Sequence, residues 1–294
     1  MSKCFQIRNE ALTLDVSAKG AELYALHSAG GPERGWLWDG GEAWGRRAPV
    51  CFPWCGRLKD GFFEESGTRY EAGIHGLLRD MEHVVLAQTG DAITLRAESD
   101  AWSQERYPWR FWTDTAHALV GNQVRTTVTV TNLDERAMPV QIGFHTGFRC
   151  PFTPQRAPED YLLRFEQEEE PLEALCIGGL ISGETRGVFT RQSVVGITSH
   201  MFDEDSICLT GLKSKWVQLE ERDSGRALRV GIENYPCVLL WSAPGMPGFL
   251  CIEPWQGMPS RADGGHTLWE RPSTVRVEPG QSFAAVQTME LIEN

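Results

Sequence analysis

Two side chains stand out as able to move protons: His145 and Glu253. Each sits in a short apolar stretch, with Ile142 and Phe144 beside the histidine and Leu250 and Ile252 beside the glutamate. An imidazole and a carboxyl group held in such surroundings make an acid and base pair, because burial moves their proton affinities toward each other. They lie in the second and third of three polar islands: Cys51 to Gly61 (CFPWCGRLKDG) with Gly73 to Asp80 (GIHGLLRD), Ile142 to Phe152 (IGFHTGFRCPF), and Phe249 to Pro259 (FLCIEPWQGMP). Taken singly, His145 also reads as a core histidine with satisfied hydrogen bonds, and Glu253 as a surface glutamate at a strand end.

The eight cysteines offer less. Cys51 and Cys55 are the tight pair, and no second Cys/His cluster stands at zinc-ligand spacing. No export signal precedes them, so the sequence predicts free thiols packed as small hydrophobes, with no metal and no disulfide. Five of the seven histidines, His27, His83, His117, His200 and His266, lie outside the islands and receive no role.

The elements that must position these residues read as β nearly throughout. In QVRTTVTVTNL, Val124, Thr126, Val128 and Val130 share one side, and Arg125, Thr127 and Thr129 the other. AITLRAES, KWVQLEER, ALRVGIEN, CVLLWSA and FAAVQTMEL are further short runs of this kind. Turn formers separate the runs at Thr89-Gly90-Asp91, Asn132-Leu133-Asp134, Asp223-Ser224-Gly225 and Pro279-Gly280. Long amphipathic helical periodicity is missing, which disfavours a doubly wound α/β fold. The pattern predicts an all-β chain folded as a large antiparallel sandwich, with residues 1–294 as one domain. The charge run FEQEEEPLE, Phe165 to Glu173, reads as a solvated loop.

The net charge of −12 argues against nucleic acid as the main partner, since phosphate backbones need concentrated Lys and Arg. It leaves room for a small anion gripped by one or two arginines. No apolar run approaches a membrane span, and the N-terminus lacks a signal-peptide core, so a soluble cytoplasmic protein is expected. Oligomeric state is not legible.

Read in order, KGAELYALHS (Lys19 to Ser28), WLWDGGEAWGRRAPVCFPWCGRLKDG, HGLLRD, GFHTGFRCP, FDEDSICL (Phe202 to Leu209) and CIEPWQGMP resemble the aldose 1-epimerase (mutarotase) superfamily. The nearest branch includes LacX-like proteins and glucose-6-phosphate 1-epimerases. The resemblance covers nearly the whole chain. It implies a sandwich whose sugar cleft lies on the concave face of a curved sheet.

It also implies roles. Glu253 matches the family's glutamate, which acts as base, and His145 the histidine that acts as acid. Around His145 the chain departs from the usual GGHPAFNCP-like segment: Phe144, Thr146 and Arg149 replace glycine, proline and asparagine. His75 matches the histidine of an HGFAR-like motif and would hydrogen-bond the sugar near its reacting centre. Arg57 matches an FPxxGR segment, and its planar guanidinium can fork two hydroxyls or grip a phosphate. Arg79 resembles part of a phosphate grip, or forms a structural pair with Asp80. Asp205 would accept hydrogen bonds from sugar hydroxyls, with Asp203 and Glu204 as rivals. Of the eleven tryptophans, Trp54 and Trp255 lie inside the islands and are candidates for stacking on a pyranose.

Exchange of anomers needs one base at the C1 hydroxyl and one acid at the ring oxygen, and no cofactor. The chain is therefore expected to interconvert α and β anomers of an aldose or aldose 6-phosphate. Two other classes compete: a carbohydrate-binding protein that kept the fold without activity, and a glycoside hydrolase or lyase on a related sandwich. A hydrolase would show a pair of carboxyl groups flanking the bond, and Glu253 has only Asp205 to offer.

Overall fold

A computed structural model of the chain describes residues 3–29 and 35–293. Antiparallel strands dominate, as the alternation predicts. One sheet has nine strands in the order Gln192–Gly196, Tyr161–Glu169, Trp216–Glu221, Ala227–Gly231, Ser282–Ile292, Gln123–Asn132, Phe111–Val120, Ala92–Glu98 and Val84–Gln88. The other has eight strands, seven along one path and one beside it. Its order is Leu180–Gly187, Leu172–Ile177, Ile207–Thr210, Cys237–Trp241, Phe249–Gln256, Ile142–Phe144 and Val50–Cys51, with Thr146–Arg149 also paired to Phe249–Gln256. A three-stranded sheet of Cys4–Arg8, Leu12–Ser17 and Leu23–Ser28 packs onto the same core. Among the described residues, no helix is long and apolar enough to cross a membrane.

Period-two alternation sorts the site-bearing strands of the eight-stranded sheet between core and cleft. In Phe249–Gln256, Leu250 and Ile252 join Val238 and Leu240 of the neighbouring strand in the core. That core also contains Leu219, Leu228, Val230 and Met289 from the nine-stranded sheet. The opposite parity, Cys251, Glu253 and Trp255, falls on the other face beside Leu239 and Trp241. Residues from Val124 to Val130 keep the predicted alternation, with the even-numbered positions buried.

The charge run is the exception. Tyr161–Glu169 and Leu172–Ile177 are strands, and within the run Glu166, Gln167, Glu168, Glu170 and Leu172 are exposed. Glu169 is buried, and its carboxylate accepts the N–H groups of Lys213 and Ser214. Glu173 is buried against the Arg186 guanidinium at 2.7 Å. A carboxylate supplied with such donors can be enclosed, and composition alone does not show where the donors will come from.

Candidate functional site

Glu253 lies mid-strand, opposite Leu239 on one side. His145 occupies the break between Ile142–Phe144 and Thr146–Arg149, both of which pair with the glutamate's strand. Its own N–H donates to the carbonyl of Pro49, the residue before the paired strand Val50–Cys51, and its side chain lines the cleft. His145 Nε2 and Glu253 Oε2 stand 3.5 Å apart, in ion-pair range but beyond a good hydrogen bond. Neither Glu253 Oε2 nor His145 Nδ1 has a hydrogen-bond partner among the described residues.

Burial decides the electrostatics. Glu253 is 1% exposed, and desolvation pushes its carboxyl well above the usual range, helped by neighbouring Cys51. Desolvation lowers His145 to about 3, and the Arg79 charge acts in the same direction. Both groups are driven toward their neutral forms, which favours the pair's shared proton on Glu253 over His145.

His75 completes the polar end. Its turn docks onto the Cys51 to Gly61 half of the first island through His75 N–H to Gly56 O (2.9 Å) and Leu77 N–H to Phe52 O (2.6 Å). Gly76, at φ 74°, lies so close to Phe52 that a Cβ would overlap the carbonyl group. The Gly56 N–H donates to His75 Nδ1 at 3.2 Å, which leaves Nε2 as the ring's donor. Burial lowers its pKa well below the ordinary value, reinforced by His145, Arg79, Arg57 and Arg271. Its ring meets that of His145 edge-on at 4.9 Å.

A cleft of about 520 Å³ opens over this group. Arg57, His75, Arg79, His145, Asp205, Glu253 and Trp255 all line it. Trp54 does not. It is 0% exposed, its indole N–H donates to Gly73 O at 2.8 Å, and it packs on Phe63 behind the cleft wall. Its expected sugar contact is therefore corrected to a core role: its place in a polar island hid an apolar site.

The charges are mixed. Arg57 is exposed at the rim, its stem against Gly179. Arg79 stands 3.7 Å from Asp80, which Arg46 also holds at 2.7 Å, so it joins the structural pair while lining the cleft. Asp205 accepts the N–H groups of Gly179 (3.1 Å) and Ser206 (2.7 Å), and Asp203 binds the exposed His200 at 2.8 Å. Glu204 also lines the cleft. Arg149 pairs with Asp39 and donates to Leu37 O, outside the cleft lining.

With this geometry in hand, the chain can be set beside known proteins. The family model for aldose 1-epimerase matches residues 3–290. The chain belongs to the aldose 1-epimerase family. Its relatives in this family include the chromosomal and plasmid-encoded LacX proteins of Lactococcus lactis subsp. lactis. Each is 30% identical over 283 residues, covering 93% of this chain and 94% of the relative. A galactose mutarotase related enzyme from Lactobacillus acidophilus shares the fold with TM-score 0.93, 24% identity and coverage of 98% of this chain and 97% of that one. A galactose mutarotase-like protein from Lactobacillus casei gives TM-score 0.90 at 22% identity, covering 98% and 100%.

Three residues of this aldose 1-epimerase family member escaped sequence reasoning. Trp44 stacks on His145 at 4.9 Å with the rings 24° apart. Trp241 meets Trp44 nearly at right angles, 5.6 Å away, and the two half-buried rings form a corner beside the histidine. Trp241 shares the parity of Leu239 along its strand, a signal available in the sequence. Trp44 lies in an irregular segment and gives none. Arg271 is buried and donates to the carbonyls of Cys55 and Met258, tying the first island to the third.

Proposed function

We propose that the chain is a cofactor-independent aldose 1-epimerase acting on a free, non-phosphorylated aldose. The observation that supports it most is the buried His145–Glu253 pair, 3.5 Å apart at one end of a cleft lined by indole rings and hydrogen-bonding groups. The C1 hydroxyl and ring oxygen of a pyranose are bonded to the same carbon, so two groups this close can each address one of them. As sugar binds, the proton on Glu253 passes to His145. The carboxylate then takes the C1-hydroxyl proton while the imidazolium protonates the ring oxygen, and the C1–O5 bond breaks. Rotation about C1–C2 presents the other carbonyl face, and the same transfers in reverse close the ring. His75 Nε2–H, Asp205 and Arg57 hold hydroxyls, and Trp255 and Trp44 supply apolar surface for the C–H face of the ring.

The preference for a free sugar rests on the charges. Two arginines, Arg57 and Arg79, share the cleft with three carboxylates, Asp203, Glu204 and Asp205. Arg79 has a carboxylate of its own in Asp80, and a dianionic phosphate would face the remaining acidic groups. The test is NMR observation of anomer exchange across free aldoses and their 6-phosphates, with chelator-treated protein. Exchange faster than buffer for a free aldose supports the proposal. Buffer-rate exchange for every sugar overturns it, and faster exchange confined to phosphorylated sugars overturns the substrate class.

A further inference from the structure

The acid–base pair has a third neighbour that the proposed reaction does not use. Cys251 is two residues before Glu253, on the same face of strand Phe249–Gln256, and its thiol is free. One ligand atom each from His145, Cys251 and Glu253 lie within 4.8 Å of one another, and all three residues are buried. We propose that these three side chains form a binding site for a borderline-soft divalent ion, zinc(II) foremost, and that an ion held there blocks the cleft's proton chemistry.

The donor set is the first argument. An imidazole nitrogen, a thiolate and a carboxylate oxygen suit zinc(II) and cobalt(II), and three protein ligands with one position open to the cleft is a common zinc arrangement. Distance is the second. Metal–ligand bonds of about 2.0–2.3 Å at tetrahedral angles separate ligands by about 3.3–3.7 Å. His145 Nε2 and Glu253 Oε2 stand at 3.5 Å already, so the thiol has to close by up to about 1.3 Å. The third argument is availability. Glu253 Oε2 is enclosed and without a hydrogen-bond partner, so a cation here displaces no existing bond from that oxygen. An ion bound at this place occupies the acid and the base together. That last consequence rests on the proposed epimerase reading; the ion site itself does not.

The test uses full-length protein, reduced and stripped with chelator, and titrated with cobalt(II) and then zinc(II) under nitrogen. We expect a near-ultraviolet sulfur-to-cobalt charge-transfer band that zinc(II) abolishes and that Cys251→Ala lacks. Zinc(II) should inhibit anomer exchange competitively with sugar. In Cys251→Ala zinc(II) affinity should fall at least about 10-fold, with metal-free exchange unchanged, as loss of even a supporting group costs roughly that much. Cys251→Ser, nearer in volume to the native side chain, repeats the measurement should the alanine variant fold poorly. A cobalt spectrum without the band, or the same band in both variants, overturns the site. Cobalt bound with the band but no exchange on any sugar leaves the site standing and removes the epimerase reading; exchange without cobalt binding does the reverse.

Discussion

Glu253→Gln separates catalysis from folding, because the two depend on different forms of the same side chain. The carboxyl is 1% exposed and burial holds it in its neutral form. A neutral carboxyl and an amide have nearly the same shape. The glutamine N–H can point at neutral His145 across the present 3.5 Å gap. Folding free energy should therefore change by about 1 kcal/mol or less, near the net value of one hydrogen bond. Turnover needs the ionised form as an acceptor, which an amide cannot supply. Removing general acid–base help of this kind costs roughly 10²–10⁴-fold, or about 2.7–5.4 kcal/mol of barrier. His145→Asn should lose a similar factor. Because one proton serves the pair, the double variant should fall little below the weaker single one, whereas independent contributions would multiply. Anomer exchange by NMR and urea unfolding on the same samples measure both quantities. Glu253→Gln turning over at near wild-type rate, or a double variant whose loss is the product of the two singles, would refute the shared-proton mechanism. A large drop in unfolding midpoint would show that the ionised carboxylate is structural instead.

Stability should also depend on pH through two histidines away from the cleft. Burial lowers His83 and His117 to about 4, whereas an unfolded histidine titrates near 6.5. The folded state binds fewer protons in that window, so their contribution is complete above about pH 6.5 and lost as pH falls toward 4, on the order of 3 kcal/mol each. Urea midpoints between pH 7 and 4.5 should fall, and His117→Gln should flatten the slope; an unchanged slope would count against this source. Trp44→Ala removes the ring stacked on His145 and should lower kcat/KM about 2- to 10-fold, from the roughly 0.5–1.5 kcal/mol of such a contact. Unaltered kcat/KM would remove Trp44 from the site. Gly76→Ala forces a Cβ into the Phe52 carbonyl at φ 74°, whereas Gly61→Ala, at φ 75°, meets open space. The second should cost about 1–2 kcal/mol and the first clearly more, so equal unfolding midpoints would contradict the docking of the His75 turn.

The sequence by itself determined the sheet elements and most of the side chains that meet in the cleft. Alternation is a local property of the chain, so the runs from Ala92 to Glu98 and from Gln123 to Asn132 were legible. Motif order carried His75, Arg79, His145, Asp205 and Glu253 to one cleft, although they lie up to 178 positions apart in the chain (253 − 75). Tertiary structure decided the rest. Whether a tryptophan in an island touches the cleft depends on which wall it faces: Trp54 turns inward to Gly73 O, while Trp44 reaches His145 from an irregular segment without periodicity. The acidic run became strand because Lys213, Ser214 and Arg186 arrive from other elements to satisfy Glu169 and Glu173. Arg149 was drawn off by Asp39, a partner 110 residues away. The push of His145 and Glu253 toward their neutral forms likewise comes from burial by several strands at once, a quantity that no single segment contains.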